Sequence, residues 1–141
     1  MCYAACMLQL SAQARERLIA AARAAYPEES CGVLVGRPGR DVVSVEQTVP
    51  TRNASADRRR DRYVLDPDDF VRADGAARAA GLDIIGIWHS HPDHPAEPSE
   101  TDRRAGWEGW SYLIAAVESG EVTALRSWRL VGAGFVEEEV T

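Results

Sequence analysis

The chain has 141 residues, is 45% hydrophobic and 27% charged, and carries a formal net charge of −6. That length suits one domain, expected to span residues 1–141, with a core of its own. The composition excludes a disordered chain, and no apolar run reaches the ~18 residues that cross a bilayer. The acidic balance argues against a nucleic-acid partner, whose phosphates need a basic face.

The N-terminal "MCYAACMLQL" has a short apolar stretch and lacks the basic segment of a secretory signal. Cys2, Cys6 and Cys31 are too few and too oddly numbered for a disulfide framework. Cys2 and Cys6 alone cannot fill a four-thiolate metal site. A reduced, cytoplasmic protein is the expectation, with Cys31 as a packed thiol.

Residues 11–25 read as a helix capped by Ser11, with Ala14, Leu18, Ala21, Ala22 and Ala25 on one apolar face and Pro27 as its stop. "CGVLVG" and "VVSVEQTV" read as strands joined by the turn "RPGRD". "TRNASADRRRD" reads as a loop, with a flap over a cleft as the alternative. Its arginines are interleaved with aspartates, so a solvated loop is favoured over a surface for an acidic partner. "RYVL" is a candidate short strand.

Asp66 and Pro67 open a second helix that runs to about Ala80, with Phe70, Val71, Ala77 and Ala80 as core contacts and Gly81 as its end. "LDIIGIWH" is a strand. A third helix is expected from about Ser99 to Trp107, followed by strands in "SYLIAAV", "VTALRSWRLV" and "GFVEEEV". Trp107 and Trp110 are read as core residues, with a contact patch as the alternative. Early alternation of helix and strand, then a run of strands, indicates an α+β or mixed α/β domain with a sheet flanked by helices.

All three histidines, His89, His91 and His94, fall in "GIWHSHPDHPAEPSETD". If the strand continues through them, the two-residue spacing sends the His89 and His91 imidazoles to one face. Two imidazoles on one side form a natural pincer for zinc. Asp102 is the candidate third ligand, carried back by the proline-stiffened bend and the first turn of the next helix. Two histidines and one carboxylate leave a corner open, as in catalytic rather than structural zinc sites. Ser99 and Asp102 also fit the Ser-x-x-acid pattern of a helix start, and the two roles can coexist. His94, Glu97 and Glu100 read as exposed loop or helix-end residues outside the site.

The run His-x-His-(seven residues)-Ser-x-x-Asp resembles the JAMM motif of the MPN+ family of zinc metalloproteases, and "YPEESCGVLVG" resembles the element that carries that family's upstream glutamate. The likeness runs from about residue 10 to residue 130. It implies that His89, His91 and Asp102 bind Zn2+. It implies that Glu29, rather than its neighbour Glu28, is the general base that later protonates the leaving amine. It also implies that Ser99 donates a hydrogen bond to the oxyanion, a contribution typically worth about 2.7–4 kcal/mol. The implied fold is a curved, mainly antiparallel sheet with helices against it, of the cytidine-deaminase-like MPN/JAMM kind.

The stretches "YPEESCG" and "HSHPDHPAEPS" look closest to small stand-alone bacterial members. These act on ubiquitin-like sulfur-carrier proteins and cut after the C-terminal Gly-Gly. There is little room for the insertions of the deubiquitinating relatives, so a small carrier tail is the expected substrate. Pairing with a sheet edge is one way to hold it. The alternatives are a peptidase for cell-wall peptides, against which the missing export signal argues, and a non-catalytic MPN scaffold, against which the full ligand set argues. Whether two copies pair as a homodimer is left open.

Overall fold

The computed structural model describes residues 6–132 and 134–141; Cys2 lies outside them. Its elements are β1 (Met7–Leu10), α1 (Ala12–Ala25), β2 (Cys31–Arg37), β3 (Val42–Thr51), α2 (Pro67–Ala79), β4 (Asp83–Pro92), α3 (Glu100–Ala105), β5 (Ser111–Glu118), β6 (Glu121–Val131) and β7 (Gly134–Val140). The strands close into a barrel in the order β1-β3-β2-β4-β5-β6-β7. β2–β3, β2–β4, β5–β6 and β6–β7 are antiparallel, whereas β1–β3, β1–β7 and β4–β5 are parallel. The expected curved sheet is thus curved to closure. Among the described residues each strand has a neighbour on both sides, although the short β1 covers only Val42–Val45 of β3 and Glu139–Val140 of β7.

Local chemistry accounts for the helices. The Ser11 side chain accepts from the Ala14 amide and starts α1. Ala14, Leu18 and Ala22 then bury against Leu8, Leu34, Trp88, Leu113 and Val117 to form the main core. Asp66 caps α2 and Pro67 fills its first turn. Ala73 and Ala77 pack on Val33, Val35 and Leu82, with Phe70 partly buried beside them. Val71 is 68% exposed and Ala80 is also exposed. The inward stripe follows 70-73-77, and both residues sit off it. "RYVL" forms no strand; Leu65 makes one isolated bridge to Asn53.

β4 is buried from Ile85 through Pro92 because both of its faces are covered. Trp88 points to the α1 core, while His89 and His91 point to the opposite face. β4 and β5 run parallel, so the chain between them must cross over. That crossover carries α3, which is shorter than the 99–107 expectation. Trp107 lies beyond it at 64% exposure, and Trp110 is half-buried and stacked on it, so neither is a fully buried core residue.

Two glycines make opposite predictions. A Cβ at Gly32 would strike the Val49 carbonyl and the buried Trp88 indole, whereas one at Gly75, inside α2, meets nothing within 4 Å. Gly32→Ala is expected to cost about 1–3 kcal/mol or more by overpacking. Gly75→Ala is expected to stabilise by about 0.5–1 kcal/mol through backbone entropy. Urea melts of the two variants check both signs.

Candidate metal centre

Strand alternation builds the centre. Cys31 pairs with His89 across β2–β4, and Ser90 N–H donates to the Ser30 carbonyl. Glu29 lies two residues before Cys31, so its side chain returns to the face that carries the histidines. Glu29 is 7% exposed, while Glu28 is exposed. The register therefore separates two glutamates that residue type alone does not. Ser90, between the histidines, faces away from the site. Its Oγ lies 2.9 Å from Ser30 Oγ and accepts from Ser30 N at 2.8 Å, which pins the residue following Glu29.

The His89 and His91 Nε2 atoms are 3.0 Å apart. α3 brings Asp102 Oδ1 within 3.3 Å of His89 Nε2 and Oδ2 within 3.6 Å of His91 Nε2. One donor atom each from Glu29, His89 and His91 also lies within 4.8 Å of the others, a spacing able to hold a metal ion. His91 Nδ1 sits 2.7 Å from the Pro95 carbonyl, which can only accept. That bond places the proton on Nδ1 and leaves the Nε2 lone pair facing inward, as metal-ligating histidines require. No such bond fixes His89, whose buried Nδ1 has no partner among the described residues, so its Nε2 can face the His91 lone pair with a proton or turn its own lone pair to a shared cation. The donor set fits a divalent cation.

The electrostatics are strongly coupled. Burial works against the Asp102 carboxylate, yet the adjoining His89 and His91 imidazoles and the hydrogen bond from the Ser99 amide hold its pKa well below the ordinary range. Burial lowers the His89 pKa. Burial also opposes the charge on His91, but Asp102, the Pro95 carbonyl and Glu29 outweigh it and raise its pKa. Glu29 is pushed up to about 8, chiefly by burial, with His91 opposing and Asp102 and Asp61 adding to the rise. A carboxyl group poised near neutrality can both take and return a proton.

Ser99 and Asp102 form a full capping box. Asp102 N donates to Ser99 Oγ at 3.1 Å, and Ser99 N donates to Asp102 Oδ2 at 2.7 Å. The helix start and the carboxylate's orientation are one device. Because Ser99 Oγ accepts from the amide, its hydroxyl hydrogen remains available as a donor toward the cleft it lines.

The cleft has a volume of about 320 Å³, with Glu29 and Asp102 in its lining, the Pro95–Ser99 segment on one side and Asp61–Tyr63 on another. Residues 61–63, at the end of the long loop, are therefore a wall of the site. Tyr63 stacks on His89, with centroids 4.5 Å apart and planes inclined by 23°. Sequence reasoning missed Tyr63 because it read "RYVL" as strand; no local spacing pairs residue 63 with residue 89. In "DRRRDR", Arg58 pairs with Asp61 at 2.6 Å and Arg59 Nε donates to the Ser55 carbonyl at 2.9 Å. Those two charges are engaged locally, in keeping with a solvated loop. His94 and Glu97 are exposed, and both line the cleft, contrary to their reading as residues outside the site; Glu97 also pairs with Arg126 at 3.3 Å.

Comparison with known proteins gives the family. Residues 11–131 match the family described as prokaryotic homologs of the JAB domain. The chain is similar to a desampylase of Haloferax volcanii, 40% identical over 83% of this chain and 85% of the relative. It is also similar to a CysO-cysteine peptidase of Mycobacterium tuberculosis, 32% identical over 95% and 90% of the two chains. A solution structure of a Desulfitobacterium hafniense protein superposes with a TM-score of 0.83 at 34% identity, over 96% of this chain and 92% of that one. The chain therefore belongs to the prokaryotic JAB family and is a peptidase of the JAMM/MPN+ type.

Proposed function

We propose that this peptidase is zinc-dependent and cytoplasmic, and that it hydrolyses the bond after the C-terminal Gly-Gly of a ubiquitin-like sulfur-carrier protein, releasing an attached amino acid or extension. The observation that carries the reading is the convergence of His89 Nε2, His91 Nε2 and the Asp102 carboxylate beside a buried glutamate. The name of the mycobacterial relative, a CysO-cysteine peptidase, supports the substrate class.

His89, His91 and Asp102 would hold the ion, which when bound polarises the scissile carbonyl and acidifies water. Glu29 takes the proton of the attacking water and returns it to the leaving amine. Its burial keeps its proton affinity near the neutral range until a cation arrives. Ser99 turns its free hydroxyl hydrogen to the developing oxyanion. The capping box fixes Asp102, so the residue that aims the carboxylate also supplies the oxyanion donor. The tail lies between the Tyr63 wall and the Pro95–Ser99 segment. Glycine, with no side chain, suits a narrow passage.

Protein purified without chelator is expected to carry one zinc per chain by metal analysis, and His89→Ala or Asp102→Asn to lose it. Glu29→Gln is expected to keep the zinc and lose about 10²–10⁴-fold in activity. Ser99→Ala is expected to lose about 10²–10³-fold in kcat. Incubation with a carrier extended past Gly-Gly, followed by intact mass, should show loss of the extension that chelator prevents. Turnover of muropeptides but not of carrier adducts would reassign the substrate to cell-wall peptides.

A further inference from the structure

Asn53 touches none of the side chains assigned above, yet its own side chain is fully committed to backbone groups. Nδ2 donates to the Glu29 carbonyl at 3.2 Å and to the Arg62 carbonyl at 3.0 Å. Oδ1 accepts from the Ser55 and Val64 amides, both at 3.1 Å. Two donors and two acceptor sites are all a carboxamide has. Two carbonyls on one side and two amides on the other admit a single orientation of the group.

The partners are what matter. Arg62 and Val64 flank Tyr63, the ring that stacks on His89. Glu29 is the buried carboxyl group of the cleft. A second bond joins the same two segments, from Glu29 N to the Arg59 carbonyl at 2.6 Å. The Asn53–Leu65 bridge and the Ala54 N to Val64 O bond close the loop's neck at the same place. One side chain thus ties the glutamate segment, approached from β2, to the wall that covers a histidine of β4.

We propose that Asn53 is a positioning residue for this site, setting the Glu29 segment and the Tyr63 wall in one arrangement around the histidine pair. The activity consequence rests on the peptidase reading above; the structural consequence does not.

Asn53→Asp separates the two. It keeps the acceptor for Ser55 and Val64 and removes both donors to Glu29 and Arg62. In metal-free protein, hydrogen exchange is expected to speed up by about tenfold or more in residues 26–31 and 59–65 together, while α1 and its barrel face stay protected. With the metal-loaded enzyme, kcat is expected to fall by about tenfold or more with KM little changed, since misplacing a catalytic group costs rate rather than binding. Unchanged exchange in either segment overturns the proposal, and so does kcat within about twofold of wild type. Exchange that rises throughout the core also overturns it, because a clamp at this neck leaves the barrel folded. If the wild-type chain cleaves no carrier adduct, the substrate reading fails, and the exchange experiment still decides the role of Asn53.

Discussion

The structure turns on a conflict between burial and polarity within β4. A strand covered on both faces is ordinarily filled with apolar side chains, yet His89 is fully buried and His91 is 8% exposed. Burying such groups is costly unless each polar atom finds a partner. Here the two inward nitrogens meet each other and one carboxylate. A divalent cation seated between them would remove their mutual repulsion and offset the cost of burial at the site itself.

The surrounding fold serves that arrangement. The β2–β4 register sets Glu29 on the histidine face, and Ser90 locks the neighbouring Ser30 from the other face. The parallel β4–β5 pair requires a crossover, and its short helix α3 aims Asp102 through a capping box with Ser99. The glutamate, the histidine pair and the aspartate arrive from just before β2, from β4 and from α3, so the site needs these three segments packed together. The α1 core lies on the far side of the sheet, which separates the residues that hold the fold from those that face the cleft.

Much of this was legible in the sequence, for physical reasons. The alternation of β4 fixes a shared face for His89 and His91, and the Ser-x-x-Asp spacing fixes the cap that orients Asp102. These are short-range regularities that a linear reading can carry. What was lost depended on long-range contact. Tyr63, Asn53 and Ser90 act through residues 24 to 60 positions away, and nothing in their neighbourhood announces it. Barrel closure was hidden because β1 is four residues long and carries little pattern. Trp107 misled because size argues for burial, while its position past the end of α3 leaves it exposed. Val71 misled because one residue off the stripe is a rotation of about 100° on a helix.

The choice between the two carboxylates is the sharpest point. Glu29 lies close enough to the histidines to be a ligand, and Asp102 bridges both of them. In the proposed reaction Asp102 holds the metal and Glu29 moves the proton. Anomalous diffraction at the zinc edge from metal-loaded crystals decides it. The expected result is one ion about 2.0–2.2 Å from His89 Nε2, His91 Nε2 and an Asp102 oxygen, with the Glu29 carboxylate outside bonding distance. An ion bound through Glu29 in place of Asp102, or seated away from the histidine pair, would contradict it.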